Sequence, residues 1–151
     1  MFSLKTDFNE FLNLKEFPYN KFFFFGNEPA LFVKAKNHSL IEHDLRLLEK
    51  VYLNLEDEDF DQKFNQATLS NSLFNEKKII FIDFKKSRVN KVLISSLEGV
   101  AKSETDNLII LEIQNISKKI ILKDILPTFK SNAHIVDCSI SSDLDVRNYL
   151  K

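Results

Sequence analysis

The clearest structural signal in the sequence is residues 22–29, which read Phe22-Phe23-Phe24-Phe25-Gly26-Asn27-Glu28-Pro29. Four consecutive aromatic residues form a run that is short for a helix and typical of a strand buried on both faces. Gly26-Asn27 ends the run, and Pro29 suits the first turn of a helix because the missing N–H is not needed there. The stretch therefore predicts a strand, a turn and a helix that runs toward Leu45.

The same alternation continues on both sides of this stretch. Short apolar segments predict further strands at residues 51–53, 79–82, 108–113 and 133–136. Apolar residues at helical spacing predict helices at residues 7–17, 60–67, 89–101, 117–126 and 142–150. Strands that alternate with helices pair in parallel through right-handed crossovers. The sequence therefore predicts an α/β fold, with a five-stranded, mostly parallel sheet and helices on both faces.

We find no linker or internal repeat that would divide the chain, so we expect a single domain over residues 1–151. The last predicted helix still runs at Leu150 without a cap, from which we expect the chain to be part of a longer protein.

The charge balance limits the classes of partner. Twenty-one basic and 22 acidic residues leave a formal net charge of −1, without the positive field of a domain that binds DNA unaided. The lone Cys138 cannot form an internal disulfide, and no apolar run approaches the ~18 residues of a membrane span. We therefore expect a cytoplasmic protein that is not inserted in a membrane.

The turn after the first strand is where an α/β domain would bind phosphate. A P-loop beginning at Gly26 would need glycine at position 31, lysine at 32 and serine or threonine at 33. The chain has Leu31, Phe32 and Val33 there, and Glu28 adds negative charge. We predict that this turn does not bind a nucleoside triphosphate.

Asp83 leaves two alternative functions open. It follows the apolar segment 79–82, which resembles a Walker B strand, although a turn residue or helix cap is the simpler interpretation. One alternative is a degenerate nucleotide-binding domain. The other is a receiver-like phosphorylation switch with Asp83 as the acceptor, although Glu28 is the one acid after the first strand and residues 137–139 lack the expected lysine.

Other catalytic chemistry lacks candidates in the sequence. His38, His43 and His134 are too dispersed to suggest a metal site and are better interpreted as surface or helix-packing residues. No serine lies in a nucleophile elbow, and Cys138 has no base beside it. We expect no catalytic residue, no cofactor and no metal.

The remaining feature is Ser72-Leu73-Phe74, which lies between a predicted helix and a predicted strand and is flanked by Asn71 and Asn75. Taken alone, Leu73 and Phe74 are expected in the core. Three features nevertheless follow one another along the chain: residues 22–29, an acidic helix, and Ala67-Thr68-Leu69-Ser70-Asn71-Ser72-Leu73-Phe74 before the next strand. In this order the sequence resembles the delta subunit of the bacterial DNA polymerase III clamp loader.

This resemblance implies a domain similar in fold to P-loop/AAA+ ATPases but without a functional nucleotide site. In the family this is the N-terminal, clamp-binding domain, and lid and collar domains follow it. Ser72, Leu73 and Phe74 would bind the beta sliding clamp, with Gln66, Asn71 and Asn75 as a possible rim of the interface.

The implied role is to help open the clamp during DNA replication as a non-catalytic subunit of the DNA polymerase III holoenzyme. Contacts with the gamma/tau and delta prime subunits would be made through the full-length protein, and DNA would be met only within that complex. We expect this domain by itself to be monomeric.

Overall fold

A central parallel sheet organises the molecule. The computed structural model describes residues 8–41, 48–69, 78–84, 90–114, 116–129 and 133–139. Five strands form the sheet: β1 (Lys21–Gly26), β2 (Glu49–Asn54), β3 (Lys78–Phe84), β4 (Leu108–Gln114) and β5 (His134–Cys138). Their order is β2-β3-β4-β1-β5, and every neighbouring pair is parallel. The predicted five-stranded sheet is confirmed, and in the structure its pairing is parallel throughout.

Helices connect the strands. They are α1 (Phe8–Asn13), α2 (Pro29–Ser39), α3 (Phe60–Leu69), α4 (Lys91–Lys102), α5 (Lys118–Ile120) and α6 (Leu126–Phe129), with a π-helical turn at Ile121–Ile125 between the last two. None of the described helices is both long enough and apolar enough to cross a bilayer.

The aromatic run of β1 contributes to two cores, because successive side chains of a strand point to opposite faces. Phe23 and Phe25 pack on the face covered by α3, α4 and α6. Phe22 and Phe24 pack on the other face, which α1 and α2 cover. Each of these four side chains is at most 1% exposed, so β1 is buried on both faces as predicted.

Helix α2 ends earlier than predicted. It was expected to run toward Leu45 but ends at Ser39, because its last turn tightens. The Leu40 N–H donates to Asn37 O, and Ser39 Oγ donates to Lys36 O at 2.7 Å. These bonds satisfy carbonyl groups that a longer helix would have used. Leu45 itself and the helix predicted at residues 142–150 lie outside the described residues.

Pro127 does not end its helix, although the sequence predicted an end at residue 126. The preceding turn widens to a π-helix, in which Leu126 N donates to Ile121 O. Pro127 follows this π turn directly and has no N–H to donate, so the shift in hydrogen-bond register and the proline occur together in one continuous helical segment.

Candidate functional site

The predicted clamp-binding residues Ser72, Leu73 and Phe74 lie outside the described residues, as do the predicted rim residues Asn71 and Asn75. All five fall within residues 70–77, which we call the recognition segment. Of the predicted interface residues, Gln66 is described, and it lies exposed on α3. The structure also describes the two attachment points of the segment, the end of α3 at Leu69 and the start of β3 at Lys78.

Both attachment points lie at the edge of the sheet where the strands begin, which we call the amino edge. Asn107, the residue before β4, is hydrogen-bonded to the start of β3 and to the last turn of α3. Its Oδ1 accepts a hydrogen bond from Lys78 N at 2.9 Å, and its Nδ2 donates to Ala67 O at a longer 3.5 Å. Asn107 is only 6% exposed. One buried side chain thus bridges the end of α3 and the start of β3.

Asn107 is itself held by the chain around it. Its N–H donates to Thr105 Oγ1 at 3.1 Å, and its carbonyl accepts from Asn20 Nδ2 at 2.9 Å. The Asn20 amide also donates to Thr105 O, and Asn20 O accepts from Ile109 N at 2.9 Å. The turn from α4 to β4 is therefore tied to the start of the central strand β1.

Lys21 makes a second tie at the same edge. Its Nζ donates to Ala101 O at 3.1 Å and to Ser103 O at 2.6 Å, at the end of α4. A cation is favourable at this end because the last carbonyl groups of a helix lack intrahelical partners. Burial lowers the pKa of Lys21, and the nearby Glu104 carboxylate opposes that shift.

We call the opposite edge, where the strands end, the carboxyl edge, and there the turn after β1 is closed by the protein's own backbone. Gly26 has a φ of +148°, and a Cβ built on it would lie 2.4 Å from the backbone C and O of Cys138. In the same turn, Glu28 N donates a hydrogen bond to Cys138 O at 3.3 Å. The turn after β1 therefore packs directly against the end of β5.

The start of α2, where an ATPase of similar fold would hold phosphate, is capped by its own chain. Glu28 Oε1 accepts from Ala30 N at 3.3 Å, and Pro29 has no N–H to offer. Leu31 and Phe32 are 0% and 2% exposed, so their side chains belong to the core. These observations support the prediction that this turn does not bind a nucleoside triphosphate, because a carboxylate and core residues occupy the phosphate-binding positions.

Asp83 lies near the end of β3 and lines a cavity of about 240 Å³ together with Lys36, Tyr52 and Glu112. The Lys36 ammonium is paired with Glu112, at 2.8 Å from Oε1. A receiver domain places its first strand beside its third, whereas here β4 separates β1 from β3. Glu28, the acidic residue after β1, therefore does not follow a strand that neighbours β3, the strand of Asp83. This strand order counts against the receiver-like alternative.

The described histidines are packing residues, as the sequence indicated. The His38 and His134 rings both lie against Phe17, with ring centroids 5.6 and 5.4 Å away. His38 Nε2 is hydrogen-bonded to Leu14 O at 2.7 Å, and His134 Nε2 accepts from Tyr19 N at 3.3 Å. His43 lies outside the described residues.

Two further chemistries have little support in the part of the chain that the structure describes. No group of three or more potential ligands is placed to hold a metal ion there. Burial, reinforced by nearby Asp137 and Glu112, raises the pKa of the Cys138 thiol, which opposes the formation of a reactive thiolate.

Sequence reasoning missed the residues of the amino edge, namely Asn20, Lys21 and Asn107. Their sequence signal is that each lies at or just before the start of an apolar strand. A polar residue at a strand end is usually solvated, so this pattern alone does not predict burial. The hydrogen bonds that make burial favourable appear only in the folded structure.

The chain matches the model of a known protein family. A family model described as DNA polymerase III, delta subunit, matches residues 22–139. No curated protein matches the chain. The matched range runs from β1 through β5 and includes both Asn107 and the recognition segment.

Proposed function

The chain belongs to the DNA polymerase III delta-subunit family, and from this membership we propose that it binds the beta sliding clamp and helps to open it for loading onto DNA. The family is a non-catalytic part of the polymerase III holoenzyme and acts in its clamp loader. The observation that carries the proposal is the family match over residues 22–139, which spans all five strands.

The proposed contact is made by the recognition segment. Leu73 and Phe74 insert into an apolar pocket on the clamp, with Ser72 beside them and Gln66, Asn71 and Asn75 toward the rim. Burying one Leu and one Phe side chain contributes on the order of 3 to 6 kcal/mol before association costs. That is enough to make the pair a hot spot and too little to be the whole interface.

Opening of the clamp follows from differential affinity. A protein that prefers the open clamp shifts the population toward it, by no more than its free-energy preference for that state. No nucleotide needs to bind this domain for such a shift. The self-capped start of α2 and the buried Leu31 and Phe32 support a role by binding, without intrinsic catalysis or a cofactor.

We also propose where the domain acts and which other subunits it meets. The domain acts in the cytoplasm as the N-terminal domain of its subunit and by itself is monomeric. It reaches the gamma/tau and delta prime subunits through the rest of the full-length protein. Its net charge of −1 supports contact with DNA only within the assembled loader.

Calorimetric titration of the cognate clamp tests the proposal. The double variant Leu73→Ala/Phe74→Ala is expected to lose at least about 2 kcal/mol of binding free energy while its circular dichroism stays that of the wild type. A matched control is Tyr52→Ala/Val92→Ala, which also removes one aromatic and one aliphatic side chain. Both control residues are exposed, at 71% and 72%, and lie away from the recognition segment in sequence. We expect this control to bind like the wild type.

Two results would contradict the proposal: a folded wild-type chain that does not bind the clamp, or a folded Leu73→Ala/Phe74→Ala variant that binds as tightly as the wild type. The alternatives would then be tested directly. Labelling of Asp83 by acetyl phosphate would support a receiver-like switch, and thermal stabilisation by magnesium ATP would support a degenerate nucleotide-binding domain.

A further inference from the structure

The cavity beside α2 is a feature that the clamp-binding proposal does not use. Its floor is a row of three side chains paired in register, Tyr52 on β2, Phe81 on β3 and Ile110 on β4. Helix α2 borders it through Lys36 and Leu40, and its volume is about 240 Å³. Tyr52 is 71% exposed and β2 is the last strand of the sheet, so the cavity is open on that side.

Two carboxylates lie next to this floor, one row closer to the carboxyl edge. Asp83 and Glu112 follow Phe81 and Ile110 by two positions and are paired with each other in register. Glu112 is 6% exposed, and Lys36 Nζ lies 2.8 Å from its Oε1. This ion pair lacks hydrogen-bond geometry, so Oε1 has no hydrogen bond among the described residues. The half-buried Asp83 carboxylate has neither a hydrogen bond nor an ion pair in the described part of the chain.

The charges of the cavity are separated along the strands. Lys36 and Lys50 line it together with Asp83 and Glu112, so the four formal charges sum to zero. Lys50, however, precedes by four positions the Asn54 that pairs with Asp83, which is about 13 Å along a strand. The end near the carboxyl edge therefore holds two carboxylates and one ammonium. A carboxylate withdrawn from water without a partner is unfavourable, so this end is suited to a second cation.

We propose that this cavity is a docking site for an arginine side chain of a partner protein, whose guanidinium stacks on the Tyr52 ring and donates hydrogen bonds to Asp83 and Glu112. The contact is separate from the one with the clamp and does not depend on it. The Tyr52 ring is itself stacked on Phe81, with ring centroids 5.0 Å apart and planes at 11°. It therefore offers a flat, supported surface to a ligand.

The mixture of a flat aromatic ring and two adjacent carboxylates selects a guanidinium over other cations. A guanidinium is planar, stacks on aromatic rings and has five N–H donors that can reach two carboxylates at once. A lysine ammonium is a compact, strongly hydrated charge without a flat face. Among the described residues, no group of three or more potential ligands is placed to hold a metal ion.

The shape of the cavity favours a side chain carried by a protein over a free small molecule. Most small-molecule sites have roughly 300–1,000 Å³ and bury most of their ligand. This cavity is smaller, and the exposure of Tyr52 means that a ligand on its ring stays in contact with water on one side. An arginine at the surface of a partner needs only to insert its end.

The first test is a nuclear magnetic resonance titration with a blocked tripeptide that has arginine between two alanines, at low ionic strength. We expect it to shift the ring resonances of Tyr52 and Phe81 and to give an intermolecular Overhauser effect between the arginine methylenes and the Tyr52 ring. The same peptide with citrulline, which keeps the shape and loses the charge, should bind at least about fivefold more weakly, and with lysine at least about threefold. Equal binding of the three peptides, or shifts confined to the acidic residues 56–61, would overturn the proposal.

Matched variants separate this site from general attraction by negative charge. Asp83→Asn keeps the shape of the side chain and should weaken binding of the arginine peptide about fivefold. Asp57→Asn removes the same charge from an exposed carboxylate that lies 3.7 Å from Lys63 and lines a different cavity, and should change binding by less than about twofold. Equal effects of the two variants would overturn the proposal.

A second variant tests the stacking contact. Tyr52→Leu keeps an apolar side chain and loses the flat ring, and should weaken binding of the arginine peptide about threefold. Because Tyr52 is largely exposed, we expect this variant to fold. A folded Tyr52→Leu variant that binds the arginine peptide like the wild type would overturn the proposal.

The ethylguanidinium ion tests the source of the guanidinium. If the cavity accepts a side chain attached to a protein, the tripeptide should bind at least as tightly as this free ion. A free ion that binds clearly more tightly would show that the flanking chain is excluded, and would overturn docking of a partner. The titrations contain no clamp, so a failure of clamp binding would leave this inference standing.

Discussion

The two edges of the sheet are held together by different kinds of contact. At the carboxyl edge the backbone closes on itself, with Gly26 against Cys138 and the Glu28 carboxylate on the start of α2. At the amino edge, by contrast, the polar side chains of Lys21 and Asn107 are buried and hydrogen-bonded to other parts of the chain. The turn after β1 is thus held by close backbone packing and a helix cap, whereas buried polar side chains hold the amino edge.

This difference bears on which edge of the sheet is open to a ligand. Ligands of open α/β sheets usually bind beyond the carboxyl ends of the strands. After β1 that place is taken by a helix cap and by core residues, whereas Leu69 and Lys78, which flank the recognition segment, lie at the amino edge. The clamp contact that we propose would therefore not use the place where ligands of such sheets usually bind.

The strongest test of the closed carboxyl edge is Gly26→Ala. Its φ of +148° is rarely adopted by residues with a side chain, and the new Cβ would meet the Cys138 backbone at 2.4 Å. We expect the free energy of unfolding in urea to fall by about 3 kcal/mol or more. Gly99→Ala is the control, because nothing lies within 4 Å of its Cβ and alanine favours helices.

The control should leave stability unchanged or raise it by up to about 1 kcal/mol. If both glycine variants unfold at the same urea concentration, the turn after β1 is not packed against β5 as described.

A smaller effect is expected at the start of α2. Glu28→Ala removes the side chain that caps the helix through Ala30 N, and should cost about 0.5 to 1 kcal/mol in urea unfolding. Glu28→Gln keeps an oxygen acceptor and loses the charge, so its cost should be about half as large.

The same variants test whether removal of the cap exposes a phosphate site. Magnesium ATP should not raise the melting temperature of the wild type or of Glu28→Ala, since Leu31 and Phe32 remain in the core. A concentration-dependent rise in the alanine variant alone would show that the carboxylate was the barrier, and a rise in the wild type would support the degenerate nucleotide-binding alternative.

The smallest effect is expected from titration of Lys21 at the amino edge. Its folded-state pKa is lowered from 10.5, chiefly by burial, so between the folded and unfolded pKa values the unfolded chain binds more protons. The free energy of unfolding should therefore rise with pH as the solution passes through the lowered pKa toward 10.5. Lys21→Met keeps an apolar side chain of similar length and cannot titrate.

Urea unfolding of both proteins from pH 7 to pH 10.5 isolates the contribution of Lys21, because the other titrating groups cancel in the difference. Wild-type stability should increase relative to Lys21→Met over this range. A difference that stays constant would mean that the Lys21 ammonium is not desolvated at this edge.

Much of the fold was predictable from short segments of sequence. The four phenylalanines of β1, the apolar run of β4 and the alternation with helices indicated five parallel strands, and all five are present. The ends of helices were less predictable. The end of α2 at Ser39 and the passage of a helix through Pro127 depend on local hydrogen bonds and a π turn that no residue type specifies alone.

The candidate site, like the fold, was predictable from the sequence only in part. The missing P-loop ligands were recognisable from residue types at fixed spacing, whereas the clamp-binding role of Leu73 and Phe74 is implied by the family resemblance and stays a prediction. The sequence did not indicate the order of the strands, which separates β1 from β3 and counts against a receiver-like switch. Strand order depends on which apolar surfaces pack together across the whole chain, and local periodicity does not record it.

By itself, then, the sequence determined the α/β class, the number of strands and the absence of phosphate ligands after β1, since each follows from neighbouring residues. The tertiary structure decided which polar residues are buried and what they hold. Lys21 bonds to residues 80 and 82 positions away, and Asn20 to one 87 positions away. A buried polar side chain is stable only when folding brings it such partners, so its role cannot be read from its position in the chain alone.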